Sequence, residues 1–191
     1  KPGGPISFKC KAGLAEGLER DVFTCPSCGS FNGLRSDGDY IGCGCGFKLK
    51  LEDTGFFDPP RPFETIVDWE ARDREALEAR LEVCACTEDP EDSDEQLVFS
   101  DGGVTLIKIG KEHKEEWSEA GGLALVYRNG GYELSAPGHN FRVDEISEMT
   151  MVLAGRIVLS DKSGYYEIRS AKGQKINLRK YVIAGDLIRS K

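Results

Sequence analysis

The sequence is short of positive charge. Its 191 residues carry 25 lysines and arginines against 33 aspartates and glutamates, a net charge of -8. That balance excludes a general nucleic-acid binder, and it excludes adsorption of the whole surface to an anionic membrane. Long apolar runs are also missing. No stretch approaches the roughly 18 residues of a membrane-spanning helix, and no secretory signal peptide is visible. Histidine is scarce, with 2 in the chain, so a thiol such as Cys10 has no evident histidine base to activate it. The hydrophobic share of 39% is a little low and the charged share of 30% a little high for one compact domain, which allows one or two domains. The chain opens on Lys1 rather than methionine and is expected to be a piece of a longer protein.

Cysteine is better supplied. There are 7, an odd number, which reads as metal ligands plus spare thiols in a reducing compartment. Four of them stand in Phe23-Thr24-Cys25-Pro26-Ser27-Cys28-Gly29 and Gly42-Cys43-Gly44-Cys45-Gly46-Phe47, with 14 residues between Cys28 and Cys43. Each pair is followed by glycine, which admits the positive φ that a metal knuckle needs. This is the pattern of a zinc ribbon, with Cys25, Cys28, Cys43 and Cys45 holding one tetrahedral ion. A four-thiolate site is closed, so the zinc is expected to be structural, folding a module too small to bury a core alone. The one-residue spacer of the second pair gives a tighter bite and leaves room to lose one N–H···S bond. Two alternatives remain open: Cys10 replacing one ligand, or a ribbon that has lost its metal.

Around the ribbon, the pattern predicts four segments: a tail with a short helix (1–21), the ribbon (22–51), a linker with an amphipathic helix and an acidic loop (52–95), and a β domain (96–191). Within the first, Ala12 to Arg20 suggests a helix with Leu14 and Leu18 on one face. Asp53 to Pro62 reads as a linker. A helix follows from Thr65, where Thr65 and Asp68 resemble a capping box. Ile66, Trp69, Leu77, Leu81 and Cys84 make its apolar stripe, interrupted by Asp73. Glu64 to Glu95 holds 13 acidic and 3 basic residues, ending in a solvated acidic loop from Glu88. Beyond Gln96, two hairpin signals appear, at Asp101-Gly102-Gly103 and at Asn129-Gly130-Gly131. Further short strands and a helix over Lys175 to Ile188 complete an α+β, mostly β chain. Seven or eight antiparallel strands and one C-terminal helix outline a PH-like or GRAM-like barrel, its open end plugged by the helix.

Other residues carry less. Cys84 and Cys86 would make a metal half-site, but the ribbon has already taken the other cysteines. His139 and Asp144 match a His-x4-Asp spacing, yet His139 follows Ala136-Pro137-Gly138 and leads into an alternating strand, so the match is read as chance. His113 stands among charged residues and reads as a solvated loop. Asp161 to Lys191 carries 8 basic and 3 acidic residues, which fits a charged barrel rim and could also face phosphates or headgroups.

The ordered motifs resemble a known family. Lys11-Ala12-Gly13-Leu14-Ala15-Glu16-Gly17-Leu18-Glu19-Arg20 leads into the first knuckle. Leu34-Arg35-Ser36-Asp37-Gly38, Cys45-Gly46-Phe47, Pro62-Phe63-Glu64-Thr65-Ile66 with Trp69, and Val143-Asp144-Glu145-Ile146-Ser147 follow. The set is similar to the region after the catalytic domain in some bacterial lysophosphatidic acid acyltransferases. The resemblance implies a parent enzyme that acylates the 2-hydroxyl of 1-acylglycerol 3-phosphate to give phosphatidic acid in phospholipid biosynthesis. That family works through Asn-His-x4-Asp and Glu-Gly-Thr-Arg motifs. Neither stands here in usable form, so no catalytic residue carries over. The chain is expected to be a non-catalytic accessory region. Its expected partners are the acyltransferase domain and a membrane surface or protein, and its expected place is cytoplasmic, at the membrane periphery. The alternatives are a zinc-ribbon nucleic-acid binder, which the few bases of Val22 to Leu51 disfavour, and a free-standing protein-interaction module.

Overall fold

The computed structural model describes residues 13–86, 95–110, 112, 114–153 and 155–191. The expectations for Cys10, His113 and most of the acidic loop lie outside these residues. The chain forms two compact units, Lys1–Ala76 and Leu77–Lys191, and the described residues are mostly β with two α-helices.

The first unit holds a four-stranded antiparallel sheet of β1 (Leu34–Asp37), β2 (Tyr40–Cys43), β3 (Lys48–Leu51) and β4 (Phe57–Asp58), in that order. Alternation along the strands turns Leu34, Ile41, Leu49, Leu51 and Phe57 inward, as the period of two requires. Helix α1 (Ile66–Cys86) begins in this unit. Its start is a reciprocal cap: Asp68 N donates to Thr65 Oγ1, and Thr65 N donates to Asp68 Oδ2 at 2.9 Å. Trp69 is fully buried among the sheet's apolar residues. The segment expected to be a linker contains β4 and brings Phe57 into this core, which Phe63 joins just after it. The helix expected up to Arg20 is instead a turn followed by one 3-10 turn, Leu18–Arg20. Gly13 and Gly17 have φ of 101° and 89°, which no right-handed helix accommodates.

In the second unit, β5 (Glu95–Ile109), β6 (Glu115–Arg128), β7 (Gly131–Ala136), β8 (His139–Arg142), β9 (Glu148–Leu153), β10 (Arg156–Asp161) and β11 (Gly164–Ser170) form one antiparallel sheet. The order is β8-β7-β6-β5-β11-β10-β9. Helix α2 (Arg179–Arg189) follows and lies against β9 and the 3-10 turn Val143–Glu145. The hairpin at Asn129-Gly130 forms with φ of 50° and 71°, as a primed turn needs. The hairpin expected at Asp101-Gly102-Gly103 does not form. β5 runs straight through it, and the register shifts between Gly102 and Val104 as a bulge. Gly102 faces Gly122 across the pair, so both long strands can bend at one place.

The expected barrel is not closed by hydrogen bonds. β8 and β9 are the two edges, and the chain between them turns through Val143–Glu145 under α2 instead of pairing. The sheet nevertheless curls strongly. In a flat sheet β8 and β11, four strand steps apart, would lie about 19 Å from each other. Phe141 on β8 and Tyr166 on β11 have ring centroids 4.9 Å apart.

Candidate metal centre

The first ligands follow Val22, Phe23 and Thr24, all buried. Cys25 N donates to Ser30 O and Gly29 N donates to Cys25 O, closing a tight turn around Cys25 and Cys28. The second turn is closed the same way, by Cys43 N to Phe47 O and Gly46 N to Cys43 O. Gly29 and Gly46 have φ of 71° and 98°, the left-handed conformation that glycine adopts without strain. β2 and β3 carry the second turn between them, while the first hangs on the segment held by α1.

These turns bring Cys25, Cys28, Cys43 and Cys45 together, with all four sulfurs within 4.8 Å of one another. Cys25 Sγ lies 3.6 Å from Cys45 Sγ, and Cys28 Sγ lies 3.7 Å from Cys43 Sγ. Zinc–sulfur bonds of about 2.3 Å in a tetrahedron set neighbouring sulfurs about 3.8 Å apart, so the quartet fits one ion. Gly33 backs the site closely: a Cβ there would lie 2.7 Å from Cys43 Sγ.

Backbone N–H groups feed the sulfurs. Burial pushes the Cys25 thiol up to about 12, against hydrogen bonds from the Cys28 and Ser27 backbones that stabilise its thiolate. Cys45 is lowered to about 7, first by the Phe47 backbone N–H. The Cys45 backbone N–H serves Cys43, whose thiol is nevertheless raised, burial and neighbouring thiols outweighing that bond. The short spacer of the second pair thus still leaves a backbone N–H acting on each sulfur, Cys45 on Cys43 and Phe47 on Cys45. Cys25 is buried, while Cys28 and Cys45 are exposed.

The remaining sequence candidates fall elsewhere. Cys84 is buried and Cys86 exposed near the end of α1, and among the described residues neither joins the four-cysteine group. Asp144 is held by Arg142 at 3.1 Å, not by His139. His139 stacks on Tyr166, with centroids 5.1 Å apart, and its Nε2 lies 3.9 Å from Asp161 Oδ2. Ser163 Oγ donates to that same carboxylate rather than to His139, so these groups form no nucleophile–base pair. Tyr166 is buried and Tyr165 is exposed, on opposite faces of β11.

Residues that the motif reading missed support the site from α1. Asp73 accepts from Phe23 N and Thr24 N, and Trp69 Nε1 donates to Thr24 O. The signal was there in outline: a lone carboxylate in the middle of an apolar helical stripe needs a buried partner. Among the described residues no helix is long and apolar enough to cross a membrane. Compared with known proteins, the chain matches no family model and no curated sequence.

Proposed function

We propose that this chain is the non-catalytic, zinc-holding accessory region of a glycerolipid acyltransferase that makes phosphatidic acid. It regulates the enzyme or orients it at the bilayer. The observation that carries the metal part is the sulfur quartet, all within 4.8 Å of one another and two pairs at 3.6 and 3.7 Å. Cys25, Cys28, Cys43 and Cys45 are soft ligands suited to zinc. Bound there, zinc supplies folding free energy and no reactive water, because four thiolates fill its coordination. What supports the family part is the ordered motif set from Lys11 to Ser147. Its Trp69, Phe47 and Phe63 meet in the first unit's core.

The second unit is read as a PH-like or GRAM-like domain. Supporting that are the two meanders that share β5, the curl of the sheet and the single helix at its end. The test is the gene upstream of Lys1, where an Asn-His-x4-Asp motif is expected, together with an acyltransferase assay. The full protein should acylate lysophosphatidate and the chain alone should not; acylation by the chain alone would overturn the proposal.

One observation favours the nucleic-acid alternative. The solvent face of the ribbon sheet sets Arg35 and Lys48 on either side of bare Gly42 in the pairing register. They line a groove of about 330 Å³ with Tyr40, and Lys48 Nζ stands 4.1 Å from the Tyr40 ring centroid. Against it, Asp37 lines the same groove, Glu52 pairs Lys50 at 2.9 Å, and the two remaining cations offset the negative charge of a zinc tetrathiolate. Salt-dependent retention of single-stranded DNA, lost in Tyr40→Ala, would decide for this alternative.

A further inference from the structure

We infer that the end of β9, with the start of β10 beside it, is a contact point for an anionic lipid surface. This rests on the reading of the chain as part of an enzyme that works at a bilayer, and it names the place of contact. β9 is an edge strand, and its last residues, Val152 and Leu153, are 53% and 63% exposed. Two adjacent branched apolar side chains at the end of an edge strand are costly to leave in water.

Their surroundings are cationic. Leu153 pairs with Arg156 across the strands, and Arg156 in turn pairs with Arg169. Both guanidiniums sit on the one carboxylate of Glu167, with the charge of Glu115 acting on Arg169 from farther off. Ser170 N donates to Gly155 O at 2.9 Å. That bond ties the residue before β10 to the segment carrying Lys172, which is exposed. The patch is thus apolar at its tip and positive at its flanks, in a chain whose net charge is -8.

The combination selects the occupant. A free phosphate would use the cations and leave Val152 and Leu153 wet. A second copy would bring the same cations to the same face, and like charges oppose that docking. An anionic bilayer satisfies both parts, the apolar pair entering the acyl boundary while Arg156 and Lys172 lie at headgroup depth.

The test is co-sedimentation of the whole chain, purified with zinc, on vesicles of phosphatidylcholine alone and of phosphatidylcholine with phosphatidylglycerol in equal parts. Binding is expected to the mixed vesicles only, and to weaken as salt is raised. Leu153→Glu should lower it about tenfold. Lys172→Glu, a change in an exposed loop, should lower it about fivefold. Equal binding to both vesicle types, no binding, or full binding by both variants would overturn the inference. So would concentration-dependent dimers of the wild-type chain that Leu153→Glu abolishes, since the patch would then join two copies. A gene lacking the Asn-His-x4-Asp motif upstream would overturn the enzyme reading and leave the vesicle result standing.

Discussion

The carboxylate of Asp73 holds Thr24, the residue before the first metal ligand. Asp73 Oδ1 accepts from Thr24 N at 2.9 Å, and Oδ2 accepts from Phe23 N at 2.8 Å. One helical turn earlier, Trp69 Nε1 donates to Thr24 O at 2.9 Å. Thr24 thus has both its N–H and its C=O held by side chains of α1. The beginning of α1 belongs to the metal module as much as the strands do, because buried backbone groups in this segment must find partners somewhere.

Asp73 gives the module a pH signature. Burial pushes its carboxyl up to about 6, against the bonds from Phe23 and Thr24 that favour the ionised form. A carboxyl raised on folding stabilises the fold below its unfolded value near 4. That contribution is lost as pH rises through about 6, a change of about 3 kcal/mol. Zinc loss in acid acts in the opposite direction, so the measurable quantity is a difference. Denaturant unfolding of wild type and Asp73→Asn across pH 4 to 7 should show wild type losing ground to the variant as pH rises. Asp73→Ala, which strands two buried N–H donors, should cost about 2–4 kcal/mol.

Trp69 is the packing centre of the same module. Its indole stacks on Phe63 at 5.0 Å and meets the edges of Phe47 and Phe57, each at 5.6 Å. Trp69→Phe keeps an aromatic ring but leaves Thr24 O without its donor, for an expected loss of about 1–2 kcal/mol. Trp69→Ala should cost about 3–5 kcal/mol. If Thr24 is the link between helix and knuckle, both variants should also release zinc to a chelator faster than wild type.

A second prediction of packing concerns the other unit. Lys180 Nζ lies 2.7 Å from Asp101 Oδ2, with Lys180 1% exposed. Tyr181 Oη is 2.8 Å from both Asp101 Oδ2 and Leu123 O. Burial and the Asp101 charge hold the Tyr181 hydroxyl well above its ordinary range, so it stays a donor. Asp101→Ala leaves a buried ammonium without this acid and should cost about 3–5 kcal/mol. The double variant Asp101→Leu, Lys180→Met should recover most of that loss in a thermal or denaturant melt.

Asp101 also shows where sequence reading stops. Asp-Gly-Gly is turn chemistry, and the same residues serve a bulge in a continuous strand. Which one forms is decided by α2, whose Lys180 and Tyr181 hold Asp101 from about 80 residues away. The first half of β6, Glu115 to Gly122, was equally hidden, because its charged and glycine residues lack the apolar alternation that marks a strand. What was legible was local. The knuckles, the cap at Thr65, the α1 stripe and the Asn129-Gly130 turn each follow from residues within a few positions of one another. The α1 stripe also contained the clue to Asp73, since its break falls on the side that is buried. The support given to Thr24 was not legible, because it joins residues 45 and 49 positions apart.

The most direct test of the account is the metal itself, read by native mass spectrometry together with X-ray absorption at the zinc edge. The chain should carry one zinc ion with four sulfur neighbours at about 2.3 Å. Cys25→Ser, Cys28→Ser, Cys43→Ser and Cys45→Ser should each lose the four-sulfur signal, while Cys10→Ser and Cys84→Ser should retain it. A chain that folds without zinc, or one that keeps four sulfurs when Cys45 is replaced, would contradict the assignment of Cys43 and Cys45 to one ion.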